Sequence, residues 1–176
     1  MKILLIGGPS TGKTSTIKIL KEKGYTCFEE VSREVTKKAQ EEGITQLFLT
    51  QPLLFSEKLL EGRIKQHQEA DKSKEPFVFL DRGIPDVSTY LDYKNTSYPN
   101  LFTQANKKYR YDKVFVFPIW DEIYLSDNER YESLNEAKEI QKFLLKTYQN
   151  LGYNLTEVPK LPIAQRIQFI LNQLKH

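Results

Sequence analysis

Short apolar runs alternate along the chain with longer segments in which apolar residues recur every three or four positions. The short apolar runs are typical of strands buried on both faces of a parallel sheet. They predict five strands: Lys2–Ile6, Tyr25–Phe28, Phe77–Leu80, Lys113–Phe117 and Tyr153–Val158. Because helical segments separate them, we expect right-handed βαβ units and an α/β fold, with a five-stranded parallel sheet covered by helices on both faces.

The longer amphipathic segments predict six helices. They cover Gly12–Lys23, Glu30–Glu42, Leu53–Ala70, Ile84–Tyr93, Leu134–Leu151 and Pro162–Leu174. The fifth has the clearest boundaries, because Ser133 and Glu136 form a capping-box pattern and Gly152 stands just past its end. No repeat or linker interrupts the alternation, so we expect a single domain over residues 1–176.

Composition and charge limit the kinds of molecule that we expect the chain to bind. The 176 residues carry 26 Lys and Arg against 23 Asp and Glu, a net charge of +3. Nucleic-acid binders have a stronger and more clustered excess, so we expect no nucleic-acid partner. The longest uncharged run, Gly43–Ser56, has 14 residues, whereas a membrane-spanning helix needs about 20 apolar ones. The one cysteine, Cys27, excludes a disulfide within the chain and fits a cytoplasmic protein.

The motif with the most specific chemistry is Gly7-Gly8-Pro9-Ser10-Thr11-Gly12-Lys13-Thr14, which matches G-x-x-x-x-G-K-[S/T]. Its glycines let backbone N–H groups turn toward phosphate oxygens, and the following helix adds its positive end. Lys13 can reach the outer phosphates, and the Thr14 hydroxyl suits Mg²⁺. We therefore expect ATP or GTP with Mg²⁺. The expected contacts come from the loop and first helical turn: Gly8, Pro9, Ser10, Thr11, Gly12, Lys13, Thr14 and Ser15.

Several classes of P-loop protein are excluded by motifs that the chain lacks. The nearest match to the guanine-reading N-K-x-D motif is Asn106-Lys107-Lys108-Tyr109, which lacks the acid. There is no L-S-G-G signature, and the length leaves no room for the second helical domain of a motor ATPase. The compact three-layer, kinase-like P-loop fold remains.

Acidic and basic residues follow two of the predicted strands. Asp81 and Arg82 end the third strand, and Glu30 and Arg33 follow the second. Ligands of open α/β sheets bind beyond the carboxyl ends of the strands. Asp81 can hold Mg²⁺ or accept a hydroxyl proton, Arg82 can clamp a phosphoryl group, and Glu30 and Arg33 can serve as base and anion clamp. The alternatives are a helix cap with a solvated arginine for the first pair and a solvated ion pair for the second.

Two segments after the later strands complete the expected site. Residues 118–133 suit a lid over the phosphates, with Arg130 as its arginine and Asp127 positioning it; an ordinary surface loop is the alternative. Val158 and Pro159 are placed to sandwich a nucleobase. Trp120 either covers the site or packs in the interior.

These residues together resemble one family. The chain is similar to the NadR and TRPL-translocation-defect group of P-loop domains. The matching stretches are Gly7–Thr14, Glu30–Arg33, Asp81–Asp86 with Tyr90, Tyr109–Asp112, Asp127–Arg130, Leu151–Tyr153, Val158-Pro159 and Arg166. The D-R-G-I-P-D run and the D-x-x-R lid are fairly specific to this group. We expect Asp86 of that run among the substrate-binding residues.

The resemblance implies a P-loop kinase fold with a nucleotide and Mg²⁺. One branch of the family phosphorylates nicotinamide riboside, and another is linked to GTP and phosphoinositide binding. The leading hypothesis is a small-molecule kinase that transfers the γ-phosphoryl of ATP or GTP to a hydroxyl of a nucleoside-like acceptor. Lys13 and Thr14 would hold phosphates and metal, and Arg82 and Arg130 would stabilise charge. The alternative is a nucleotide-dependent regulatory module that recruits a phosphoinositide or a protein.

Overall fold

A computed structural model of the protein describes residues 1–123 and 133–175. It contains a five-stranded, entirely parallel sheet in the order β2-β3-β1-β4-β5. The strands are β1 (Lys2–Ile6), β2 (Thr26–Phe28), β3 (Val78–Asp81), β4 (Lys113–Val116) and β5 (Leu155–Glu157). This architecture confirms the predicted α/β fold with helices on both faces of the sheet.

The strands form where the sequence offers side chains for two cores. In β1, Ile3 and Leu5 face one apolar cluster, and Leu4 and Ile6 face the other; all four are fully buried. Alternate side chains of a strand point to opposite faces, so a strand without polar positions must be covered on both sides. This places β1 at the centre of the sheet.

Eight α-helices lie within the described residues. They are α1 (Lys13–Glu22), α2 (Ser32–Glu41), α3 (Leu47–Thr50), α4 (Pro52–Lys72), α5 (Ile84–Tyr93), α6 (Leu101–Lys108), α7 (Leu134–Asn150) and α8 (Ile163–Gln173). α1 and α8 pack on one face of the sheet, and α7 with the end of α4 packs on the other. A third apolar cluster lies beside the sheet and is formed by the five helices from α2 through α6.

Two helices and several boundaries differ from the sequence prediction. α3 is a single turn within the uncharged Gly43–Ser56 segment, and α6 buries only Phe102, Ala105 and Asn106. Such short elements carry too few apolar repeats to be recognised. The helix expected from Glu30 begins at Ser32 instead, where the Ser32 backbone N–H donates to Glu30 Oε1 at 3.2 Å. The predicted capping box of α7 is confirmed by hydrogen bonds in both directions between Ser133 and Glu136.

The order of the strands fixes where a ligand can bind. The chain leaves β1 toward β2 and β3 on one side of the sheet, and then crosses to β4 and β5 on the other. The loop after β1 therefore lies at the point where the direction of winding changes, which is the usual binding position in open α/β sheets. No helix in the described part of the chain is long and apolar enough to cross a membrane.

Candidate active site

The loop between β1 and α1 has the backbone that a phosphate cradle requires. Ser10 (φ 59°) and Gly12 (φ 90°) lie in the left-handed region, and left-handed residues of this kind are typical of backbone turns whose N–H groups bind anions. Gly7 (φ 148°) passes so close to the sheet that a Cβ there would collide with the Phe117 carbonyl. The glycines of the motif are thus required both by backbone conformation and by close packing.

Lys13 reaches back into this loop from the first turn of α1. Its ammonium donates to the Gly7 carbonyl at 3.0 Å, the Gly8 carbonyl at 2.7 Å and the Thr11 hydroxyl at 3.1 Å. Burial, followed by the positive charge of Arg82, lowers the pKa of Lys13 to about 7, although nearby carboxylates oppose the shift. A phosphate placed in the loop would exchange the backbone carbonyls for charged oxygens as partners of this ammonium.

The lowered pKa of Lys13 predicts a stability that rises with pH above neutrality. Between about pH 7 and the ordinary lysine value of 10.5, the unfolded chain binds more proton at this position than the folded protein does. The free energy of unfolding should therefore increase there by up to about 1.4 kcal/mol per pH unit. Below pH 7 both states are protonated at this position, so this contribution stops changing.

Urea unfolding near pH 7 and again about 1.5 pH units higher checks this prediction. The Lys13→Met variant is the control, since it retains every other titrating group and should lack the additional rise. An equal rise in both proteins would contradict the assignment of the pH dependence to Lys13.

Asp81 at the end of β3 lies against the start of α1. Its side chain is 2% exposed, and Oδ2 is 3.4 Å from the Thr14 hydroxyl. The other oxygen, Oδ1, is buried without a hydrogen-bond partner among the described residues. Burial raises the pKa of Asp81. An orphaned buried oxygen is unfavourable unless something pairs with it, which marks this carboxylate as a ligand group.

Thr14 and Asp81 together fit Mg²⁺. Both supply hard oxygen ligands, and Mg²⁺ in nucleotide sites is commonly held by one or two protein groups together with phosphate and water. No cluster of three or more His, Cys, Asp or Glu that could hold a metal occurs within residues 1–123 and 133–175. Thr14 and Asp81 would leave the other positions around such an ion to phosphate and water.

Glu30 is the centre of a buried ion-pair network. Its Oε1 accepts from Arg63 at 2.9 Å, and its Oε2 forms an ion pair with Arg82 Nε at 2.6 Å. Burial alone would raise the pKa of Glu30, but the charges of Arg63 and Arg82, with hydrogen bonds from Arg63 and from the Ser32 amide, hold it below its ordinary value. Glu30 is therefore a carboxylate at neutral pH, fixed beside Arg82 at the same sheet edge as Lys13.

Asp86 is held on the inner side of Arg82 rather than in the open site. It is fully buried; Oδ2 accepts from the Gly83 amide at 3.0 Å and from the Tyr148 hydroxyl at 2.5 Å. Its Oδ1 lies 3.4 Å from Arg82 Nη1. The substrate contact expected of Asp86 from the sequence stays a prediction. The side chain orients Arg82, whose backbone is in the left-handed region (φ 67°).

The remaining expected residues are placed less centrally. Ser15 and Arg33 are exposed near the starts of α1 and α2. Val158 is fully buried in the core beside β5, so its side chain faces away from a ligand, whereas Pro159 is half-buried. Asp127 and Arg130 lie outside the described residues, and their roles in a lid stay predictions.

The structure adds four residues that the sequence analysis did not place in the site. Arg63 of α4 and Tyr148 of α7 hold Glu30 and Asp86. Gln141 of α7 accepts from the Gly8 amide at 2.7 Å, and Arg166 of α8 donates to the Thr11 carbonyl at 2.9 Å. Three of them are polar or charged side chains on buried faces of otherwise amphipathic helices. A charge at such a position is the signal that could have identified them.

A family model described as an AAA domain, AAA_28, matches residues 2–166. The chain belongs to this family. The match covers the P-loop, Glu30, the Asp81–Asp86 run and Arg166, so the family assignment extends over every part of the candidate site described above. A comparison with curated proteins gave no significant match.

Solved structures similar to this chain are P-loop kinases and a related protein. Deoxyadenosine kinase from M. mycoides has a TM-score of 0.73 at 17% identity, with 99% of both chains covered. Thymidylate kinase from Candida albicans has a TM-score of 0.72 at 17% identity, covering 99% of this chain and 90% of the other. NadR in complex with NR has a TM-score of 0.76 at 18% identity, covering 99% of this chain and 52% of the other. At these identities the similarity shows the fold, which is that of nucleoside and nucleotide kinases.

Proposed function

We propose that the protein is a phosphotransferase that moves the γ-phosphoryl group of ATP or GTP to a hydroxyl group of a small, nucleoside-like acceptor. The observation that carries this proposal is Asp81, whose buried Oδ1 has no hydrogen-bond partner among the described residues while Oδ2 lies 3.4 Å from the P-loop hydroxyl of Thr14. A carboxylate in this position suits the Mg²⁺ that accompanies a nucleoside triphosphate.

The charged side chains at this sheet edge divide into two functions. Lys13, with the backbone N–H groups of residues 10–15, would bind the phosphates and neutralise the charge that moves onto the leaving oxygen. Thr14 and Asp81 would hold Mg²⁺, which supplies charge neutralisation between the outer phosphates when bound. The phosphate-binding groups and the metal-binding groups lie at the same end of β1, so both would act on the same phosphates.

Glu30 and Arg82 would act on the acceptor side. Glu30 Oε2 would accept the proton of the attacking hydroxyl, and Arg82 would stabilise the transferred phosphoryl group. The low pKa of Glu30 keeps it ionised and ready to accept a hydrogen bond from a hydroxyl. Asp86 and Arg63 fix the positions of Arg82 and Glu30 through the bonds described above.

The charge balance near Glu30 supports an acceptor without a phosphate of its own. Arg63 is paired with Glu30, and Arg82 is paired with Glu30 and Asp86. With Arg82 assigned to the transferred phosphoryl group and Arg63 held by Glu30, a second phosphate on the acceptor would lie against these carboxylates, which is unfavourable. A neutral hydroxyl compound such as a nucleoside needs only hydrogen bonds, and one of the similar structures is a deoxyadenosine kinase.

The test is nucleotide diphosphate production in the presence of a panel of nucleosides and other hydroxyl compounds. We expect at least one acceptor to stimulate production above the acceptor-free rate, and chelation of Mg²⁺ to abolish it. In Asp81→Asn the Mg²⁺ concentration giving half-maximal rate should rise at least about tenfold. Asp92→Asn, a change in a carboxylate that bonds Tyr98 on the far side of α5, should leave it unchanged. An unchanged Mg²⁺ requirement in Asp81→Asn contradicts the metal assignment.

A further inference from the structure

Trp120 is joined to the P-loop through Arg166. The guanidinium carbon of Arg166 lies 4.8 Å from the centre of the Trp120 ring. The same guanidinium donates to the Thr11 carbonyl at 2.9 Å, and its Nε donates to the Leu161 carbonyl. A stacked arginine of this kind is a favourable partner for an indole face. The half-buried Trp120 ring is thereby held next to the phosphate loop.

Ile119, the residue before Trp120, also packs against the loop. Ile119 is 8% exposed, and its Cδ1 lies 2.6 Å from where a Cβ on Gly8 would be. Arg166 Nη1 is similarly 2.8 Å from a Cβ position on Gly12. Arg166 therefore borders the phosphate loop directly, and Trp120 borders it through the Arg166 guanidinium.

Trp120 lies on the opposite side of the loop from the acceptor residues. Asp81, Arg82 and Glu30 follow β3 and β2, whereas Trp120 follows β4 and Arg166 belongs to the helix after β5. A nucleoside triphosphate whose outer phosphates face the acceptor must extend its base away from the acceptor. The base of a bound nucleotide therefore points toward the β4–β5 side, where an aromatic face offers stacking to any purine.

We infer that the indole of Trp120 forms a stacking wall of the nucleobase subsite, and that Arg166 is the positioning residue that holds this wall against the P-loop. The inference rests on the proposed nucleotide binding and adds the side chain that contacts the base. Stacking is tolerant of base identity, so Trp120 would bind adenine and guanine alike.

Inorganic tripolyphosphate separates the two parts of the ligand, because it can enter the P-loop but has no base. Calorimetry with Mg²⁺ should show Trp120→Ala binding ATP at least about fivefold more weakly than the wild type. Its affinity for tripolyphosphate should be unchanged, and Trp120→Phe should recover most of the affinity for ATP. The chain has one tryptophan, so ATP should also alter the wild-type indole fluorescence while tripolyphosphate does not.

Each other outcome contradicts a specific statement. An equal loss for both ligands would show that Trp120 acts only through Arg166 on the loop, and an unchanged affinity for ATP would show that it does not touch the base; either overturns the inference alone. If the wild type bound tripolyphosphate and ATP equally well, the base would have no subsite, which again overturns the inference alone. Absence of binding by both ligands would contradict the proposed function itself.

Discussion

Lys13→Ala should lower acceptor-stimulated nucleotide diphosphate production by at least about 10²-fold, because it removes a charge aimed at the phosphates in a buried site. The ammonium lies inside the loop and has the Gly7 and Gly8 carbonyls within 3.0 Å. No other lysine of α1 is buried, so none can replace it. Steady-state rates at saturating acceptor, with affinity for ATP measured separately, check this prediction.

The matched control for Lys13→Ala is Lys18→Ala on the same helix. Lys18 is exposed, so its loss alters the net charge equally without touching the loop, and the rate should stay within about twofold of the wild type. A Lys13→Ala protein that remains folded and retains its rate would contradict the assignment of Lys13 to the transferred phosphoryl group.

Glu30→Gln should lower both the rate and the stability. The amide cannot accept a proton as a carboxylate does, so we expect kcat to fall by about 10²- to 10⁴-fold. It also removes the charge that pairs Arg63 and one of the two carboxylates that pair Arg82; the two arginine side chains are 5% and 14% exposed. Breaking a buried pair in this way costs about 3–5 kcal/mol in general, so the free energy of unfolding should fall by a comparable amount, as urea titration will show.

The neighbouring Glu29 provides the control for that change. Glu29 pairs with Lys21 at the surface, where both side chains are more than 60% exposed. Glu29→Gln should therefore alter the free energy of unfolding by less than about 1 kcal/mol and leave kcat unchanged. A similar loss of stability in both variants would contradict the account of Glu30 as the centre of a buried network.

The fold was largely predictable because its signal is local. The apolar runs of β1, β3 and β4 are continuous, and the P-loop motif specifies a strand before it and a helix after it. The proximity of the residues at the ends of β2 and β3 could also be predicted, since parallel strands present their carboxyl ends at one edge of the sheet. Glu30 and Arg82 do meet there, at 2.6 Å.

The supporting contacts were not predictable because they join residues far apart in sequence. Arg63 comes from the middle of α4, and Tyr148 from the end of α7, 62 positions after the Asp86 that it contacts. The sequence shows only that α4 carries Arg63 and His67 in the stripe that also buries Leu60 and Ala70. Which carboxylate such an arginine meets depends on how the helices pack against each other, and helix periodicity does not determine that.

The most direct test of the central statement, that the P-loop and Glu30 belong to one phosphoryl-transfer site, follows the γ-phosphate itself. The protein is incubated with Mg²⁺, γ-labelled ATP and a mixture of nucleosides and other hydroxyl compounds, and the products are identified by mass spectrometry. The account predicts label covalently attached to an acceptor hydroxyl, in amounts equal to the ADP formed, and a rate of labelling at least about 10²-fold lower in the Glu30→Gln protein. Label found only in inorganic phosphate, at a rate indifferent to every acceptor and accompanied by nucleotide-dependent binding of a phosphoinositide or protein, would contradict it.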